Sequence, residues 1–242
     1  YFISDIKMTA NEEENVRTFI DNFTKITVRI SSFSKHGEMT GRSSGFLFQS
    51  SEDAIPLVVT AGHKLPAKGS FIETRVSKEH STLSINAGEF RIFYNGDDID
   101  YAVSELPTEL YRKEIEQYNV VDFFSYRHKF VPAVPNEAYG FAVINNYEFT
   151  RDINGLILPT YCCVEVGMEL VEQTERLNIF KLARPHQGDE YYQGASGAPI
   201  ADPEGQITSI LIGRVPGTEL LKASRLDNVD VKEILKKTTS ED

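Results

Sequence analysis

The sequence has no tryptophan, only two cysteines and an excess of acidic over basic side chains: 36 Asp and Glu against 25 Lys and Arg, a formal charge of -11 over 242 residues. Each shortage excludes something. The acidic balance leaves no basic stripe of the kind a phosphate backbone requires, so nucleic acid is not an expected partner. The cysteines are neighbours, Cys162 and Cys163. Adjacent strand residues point to opposite faces, which argues against a mutual disulfide, so the fold is expected to hold without covalent staples. That favours a reducing, cytoplasmic compartment, or a bacterial or viral source. No apolar run approaches the roughly 18 residues of a membrane helix, so no membrane partner is expected. There is no HExxH and no Cys/His cluster at zinc spacing; neither metal nor organic cofactor is expected. The chain opens on Tyr1 rather than Met and shows no secretory signal. It therefore reads as an excised domain, a processed product or a trimmed chain.

What remains is a chain that is 40% hydrophobic, with 15 Phe and 11 Tyr, enough for one large domain or two small lobes around a shared site. Residues 11–23 carry acids in the first turn and an apolar stripe of Val16, Phe19, Ile20 and Phe23, which predicts a helix. Seven β-like runs follow, at 25–31, 44–49, 55–60, 71–76, 82–86, 89–94 and 100–104, separated by Gly, Ser, Asn and Asp. A charged stretch at 107–131 interrupts them and could make one or two helical turns. Six more runs come after it, at 138–145, 155–173, 177–182, 198–201, 207–213 and 220–225. Residues 228–237 end the chain as an amphipathic pattern, with Asp230 and Glu233 at capping-box spacing. The expected organisation is an N-terminal helical extension (1–23), a first β-barrel (24–106), a linker (107–131), and a second β-barrel with a C-terminal helix (132–242). In fold class this is all-β, two barrels packed side by side.

Three segments carry chemistry. In Gly194-Ala195-Ser196-Gly197-Ala198-Pro199, two glycines flank a serine. A nucleophilic serine needs a tight turn that exposes its hydroxyl and frees backbone N–H groups to meet a developing oxyanion, and glycine permits that backbone. Taken alone, the segment also reads as an ordinary polar loop. In Val58-Val59-Thr60-Ala61-Gly62-His63, an apolar strand delivers an imidazole past two small residues, a firm support for a general base. The competing reading is a strand-end His that caps a carbonyl, the one we give His36, His80, His128 and His186. In Asp98-Ile99-Asp100-Tyr101-Ala102-Val103, an acid opens a short strand and could orient the imidazole. Asp100 is the better candidate, and Asp97 and Asp98 read as loop acids. The order along the chain is His, Asp, Ser, the first two in one β-rich half and the serine in the other. A site at a junction of two lobes would need that distribution.

On these segments the chain resembles the chymotrypsin/trypsin-like serine proteases: VVTAGH is similar to their histidine segment, DYAV to their aspartate segment and GASGAP to their Gly-x-Ser-Gly-x-Pro segment. The resemblance implies two six-stranded antiparallel barrels and a serine endopeptidase acting on protein or peptide substrates through an acyl-enzyme. It implies His63, Asp100 and Ser196 as the catalytic triad, and an oxyanion hole from the N–H groups of Gly194 and Ser196. It also implies a primary pocket floored by Glu190, a residue that equally reads as a solvated loop carboxylate, with Tyr191, Tyr192 and Gln193 at its entrance and Gly213 and Arg214 near its wall. A floor carboxylate would favour Lys or Arg at the cleaved position, whereas Arg214 could instead neutralise Glu190 or meet an acidic side chain. Two departures stand out. Ala195 occupies the place of the aspartate that pairs with a newly cut N-terminus in digestive enzymes, so activation by that ion pair is not available. Gly62 stands where the family has a second alanine.

Three other readings compete. An α/β-hydrolase would need Gly-x-Ser-x-Gly, where this chain has Ala198, and would order its triad Ser, acid, His. A non-catalytic binding module on the same fold would carry a collapsed oxyanion turn or a blocked cleft. A regulated effector would wait for a partner, a further domain or self-cleavage.

Overall fold

In a computed structural model the described residues are 27–33, 36, 39–49, 57–65, 71–78, 81–86, 90–94, 96, 98–105, 130–151 and 157–229. The helices expected at 11–23 and 228–237 and the stretch at 107–131 lie almost wholly outside them. Among the described residues the chain is all β, apart from one 3-10 turn at Gly62–Lys64. No described helix is long and apolar enough to cross a membrane.

The first half supplies β1 (Thr27–Phe33), β2 (Met39–Phe48), β3 (Leu57–Thr60), β4 (Phe71–Lys78), β5 (Ser81–Asn86), β6 (Arg91–Tyr94) and β7 (Asp100–Glu105). They form one seven-stranded sheet in the order β5-β4-β1-β2-β3-β7-β6, whose pairs are all antiparallel. Among the described residues this half thus has seven strands, where the family resemblance implied six. Every one of the seven runs counted in the sequence became a strand, with β5 and β6 as the outer members.

The second half supplies β8 (Ala138–Arg151), β9 (Ile157–Gln173), β10 (Leu177–Lys181), β11 (Pro199–Ala201), β12 (Ile207–Arg214) and β13 (Leu220–Arg225). These close into a six-stranded barrel in the order β10-β13-β12-β11-β8-β9. Closure removes the sheet edges that would otherwise leave unpaired backbone groups. Pro199 can open β11 because a proline has no N–H to give the ladder at a strand's first position.

Period-2 alternation fills the interior. Phe141 and Val143 of β8, Cys163 of β9, Phe180 of β10, Ile200 of β11 and Leu221 and Ala223 of β13 pack into one buried cluster. Cys163 is buried in that core. A second cluster joins the two halves: Phe46, Phe48, Leu57, Val59 and Val103 from the first sheet meet Ala142, Ala201, Ile207, Ile210 and Leu226 from the barrel. Phe130 stacks on Phe48 with ring centres 4.2 Å apart, and pairs with Ile207 through an isolated parallel bridge. The seam is thus an apolar core in its own right, and burying it fixes one half against the other.

Candidate active site

β3 runs as four buried residues, Leu57 to Thr60, between β2 and β7. Ala61 leaves the strand in extended conformation, and the 3-10 turn at Gly62–Lys64 presents His63. Gly62 has a local reason. A Cβ there would come within 3.1 Å of both the Ile92 side chain and the Tyr101 carbonyl. The alanine usual at this place would press on β6 and β7, which hold the acid.

Asp100 opens β7 and is 5% exposed. Its Oδ1 accepts the backbone N–H of His63 at 2.9 Å, and its Oδ2 pairs with His63 Nδ1. One carboxylate thus holds both the main chain and the ring of the same residue. On the other side of the imidazole, Nε2 lies 3.0 Å from Ser196 Oγ. The structure therefore brings His63, Asp100 and Ser196 together in the order acid, imidazole, hydroxyl. Asp98 instead faces Arg176 of the barrel at 3.6 Å.

Ser196 sits on a turn spanning Asp189 to Gly197. Gly194 and Gly197 take left-handed backbone angles, φ 83° and 90°. Within the turn, the Ala195 N–H donates to the Tyr192 carbonyl (3.0 Å) and the Gly197 N–H to the Leu211 carbonyl (2.7 Å). Among the described residues the N–H groups of Gly194 and Ser196 donate to no protein acceptor. Both belong to the turn that carries the Ser196 hydroxyl, and unpaired amides are what an oxyanion hole needs.

The other predicted residues are dispersed around this turn. Glu190 is exposed, and its carbonyl accepts the Gln193 N–H at 3.3 Å. Gln193 is exposed as well. Gly213 is exposed near the end of β12, with open space where a Cβ would stand. Arg214 pairs with Asp189 at 3.3 Å and sits 3.2 Å from Nδ1 of His186, so its ionic partner here is Asp189, not Glu190. Tyr191 and Tyr192 are half-buried, and their hydroxyls turn towards Arg184 and Glu165. Among the described residues no three His, Cys, Asp or Glu side chains cluster as a metal site.

Several residues at the site escaped the sequence reading. Ser44 of β2 donates its hydroxyl to the Gly194 carbonyl (2.7 Å) and its N–H to the Ser196 carbonyl (2.8 Å). The Thr60 hydroxyl donates to the Ser44 carbonyl at 2.6 Å. Glu165, on β9, is 1% exposed and holds Arg184 through two hydrogen bonds of 3.0 Å. No local pattern announces any of these. Ser44 lies 150 residues from Gly194, and Glu165 lies 19 from Arg184. His186, expected to cap a strand-end carbonyl, instead lies against Tyr192 with ring centres 4.3 Å apart and planes tilted by 34°.

No protein-family model and no curated protein sequence matches the chain. Solved structures do. The Rv3671c protease from M. tuberculosis, in its active form, superposes with a TM-score of 0.54 at 13% identity, covering 91% of this chain and 82% of its own. The catalytically active tobacco etch virus protease complexed with product gives 0.56 at 11% identity, covering 91% and 80%. A Glu endopeptidase in complex with MPD gives 0.56 at 15%, covering 92% and 94%. At such identities the likeness is one of backbone architecture, and it agrees with the sheet order and the closed barrel: the chain has a chymotrypsin-like protease fold.

Proposed function

We propose that the chain is a serine endopeptidase of trypsin-like type, hydrolysing protein or peptide substrates through an acyl-enzyme. The observation that carries the reading is the 3.0 Å contact between Ser196 Oγ and His63 Nε2, with Asp100 behind the ring and two free amides beside the hydroxyl. In this mechanism Ser196 Oγ attacks the scissile carbonyl as His63 takes its proton. Asp100 keeps the ring in the tautomer whose Nε2 is the acceptor, and it stabilises the imidazolium. The amides of Gly194 and Ser196 receive the negative charge of the tetrahedral intermediate, a contribution worth roughly 10²–10³ in turnover for each donor. His63 then protonates the leaving amine. Water repeats the sequence on the acyl-enzyme and frees Ser196.

For specificity, we assign the primary pocket to the ground between the Asp189–Gly194 turn and the end of β12. Arg214 is engaged by Asp189, which leaves Glu190 as the charge that would select Lys or Arg at the cleaved position.

The test pairs a fluorophosphonate probe with cleavage-site profiling of a peptide library. Wild type is expected to label and to cleave internally, after Lys or Arg. Ser196→Ala should do neither, and Asp100→Asn should lose on the order of 10³–10⁴ in rate because the wrong tautomer faces Ser196. Cleavage after Asp or Glu would move the selecting charge to Arg214. Absence of labelling in a folded wild type would favour a binding module on this fold.

A further inference from the structure

An oxyanion turn has a mechanical problem. Its donors are useful only if they stay unpaired and aimed, yet a Gly-containing turn is free to rotate a peptide and satisfy them elsewhere. Ala195, before the nucleophile, is 3% exposed and carries no charge, so no ion pair at that place can hold the turn.

The structure supplies another anchor just upstream. Glu165 is a buried carboxylate on β9 that accepts three hydrogen bonds: from Arg184 Nε (3.0 Å), from Arg184 Nη2 (3.0 Å) and from the Tyr192 hydroxyl (2.7 Å). Arg184 Nη2 also donates to the Tyr191 hydroxyl at 2.6 Å and to the Val164 carbonyl at 3.0 Å. The two tyrosine rings meet edge to face, centres 4.9 Å apart. Burial opposes the charge on Arg184, but the hydrogen bonds and charge of Glu165 outweigh it and hold the guanidinium firmly protonated. Burial likewise raises both phenols, Tyr191 to about 12, so each stays a neutral O–H.

These tyrosines lie in the same turn as Ser196. The carbonyl of Tyr192 holds the Ala195 N–H at 3.0 Å, and Ser44 holds the Gly194 carbonyl at 2.7 Å. Between those two fixed points lies the Gln193–Gly194 peptide, whose N–H is one of the proposed oxyanion donors. A buried ion pair adds little net stability over an apolar replacement, because desolvation offsets the attraction. Its distinctive effect is directional: the hydrogen bonds fix how the two phenols and the guanidinium are oriented against the carboxylate.

We propose that Glu165, Arg184, Tyr191 and Tyr192 form a clamp that sets the Gly194 amide for the oxyanion, standing in for the N-terminal ion pair that Ala195 rules out. All four are positioning residues. The proposal rests on the peptidase reading, and its test separates the two.

The full chain, Tyr192→Phe, Tyr191→Phe and Ser196→Ala are compared in two measurements. In the first, fluorophosphonate inactivation is resolved into a limiting rate and a half-saturation concentration. Tyr192→Phe is expected to lower the limiting rate tenfold or more, and Tyr191→Phe to lower it less. The half-saturation concentration should stay within twofold and the pH midpoint should not move, because the His63–Asp100 pair is untouched. In the second, amide hydrogen exchange is followed over residues 191–197 in a Ser196→Ala background, where no activity is needed. Tyr192→Phe should speed exchange there tenfold and leave the rest of the barrel unchanged.

Wild-type inactivation rates and unchanged exchange in Tyr192→Phe would overturn the clamp. Unfolding of both phenylalanine variants would also overturn it, since the cluster would then hold up the barrel rather than the turn. A wild type that never labels, combined with faster exchange in Tyr192→Phe, would sink the peptidase reading and leave the clamp standing.

Discussion

Ser44, from the first sheet, grips Ser196 of the barrel by its main chain: the Ser44 N–H donates to the Ser196 carbonyl at 2.8 Å while the Ser44 hydroxyl takes the Gly194 carbonyl at 2.7 Å. The two halves are therefore joined at the turn that bears the hydroxyl, as well as through the apolar seam. His63 and Asp100 lie in the same sheet as Ser44. Any shift of one half against the other would move that turn away from the imidazole unless these bonds carried it along.

Removing the Ser44 hydroxyl separates the two kinds of tether. Ser44→Ala keeps the main-chain bond to Ser196 and loses only the one to Gly194. Stability should fall by about 1 kcal/mol, the usual net value of a hydrogen bond. Turnover should fall more than that figure implies, by about tenfold, because the released Gly194 carbonyl belongs to the same residue as a proposed oxyanion donor, the Gly194 N–H. Chemical denaturation and fluorophosphonate kinetics on one preparation check both numbers. Equal labelling rates would show that the Gly194 carbonyl needs no support.

Gly197 has no room for a side chain. A Cβ there would lie 2.0 Å from the Ser44 carbonyl oxygen and 2.6 Å from the Thr60 hydroxyl, on a backbone at φ 90°. Gly205, at φ 83°, meets nothing within 4 Å. Gly205→Ala should therefore cost only backbone strain, about 1–2 kcal/mol. Gly197→Ala adds forced overpacking of roughly 1–3 kcal/mol, to a total of about 2–5 kcal/mol. Melting curves of the two variants give the difference directly. Comparable losses would mean that the first sheet yields easily at Ser44.

Asp202 gives the stability a pH dependence. Its carboxyl is raised chiefly by burial, opposed by the N–H of Gln206, with the charges of Glu204 and Glu137 raising it further. The folded chain thus holds this proton more tightly than the unfolded chain does. Stability falls as pH rises from the ordinary carboxylate range through the raised value, and is regained on acidification. Asp202→Asn keeps an acceptor for the Gln206 N–H, 2.8 Å away in wild type, and cannot ionise. It should melt higher than wild type at neutral pH, by roughly 2–4 °C for each kcal/mol. The gap should close near pH 4. A gap independent of pH would assign the effect to packing.

The strands were legible because their cue is local: alternation of apolar and polar residues between turn formers needs only a dozen residues to declare itself. All thirteen runs counted in the sequence are strands. In the first sheet the alternation pattern alone gives the seven strands, where the family resemblance implied six. The segments holding His63, Asp100 and Ser196 were legible for a similar reason, since each side chain needs particular small neighbours within a few positions.

Sequence alone thus determined which segments extend, which turns must contain glycine and which three side chains had chemistry worth uniting. Only the tertiary structure decided what holds them. Ser44 on the nucleophile's turn, Asp189 on Arg214 and Glu165 under two tyrosines are contacts between residues distant along the chain or hidden in irregular loops. A serine, an aspartate or a glutamate has no periodicity that marks its partner. Its hydrogen bonds are fixed by where closure of the barrel and burial of the seam bring the backbone, and that is a property of the packed whole.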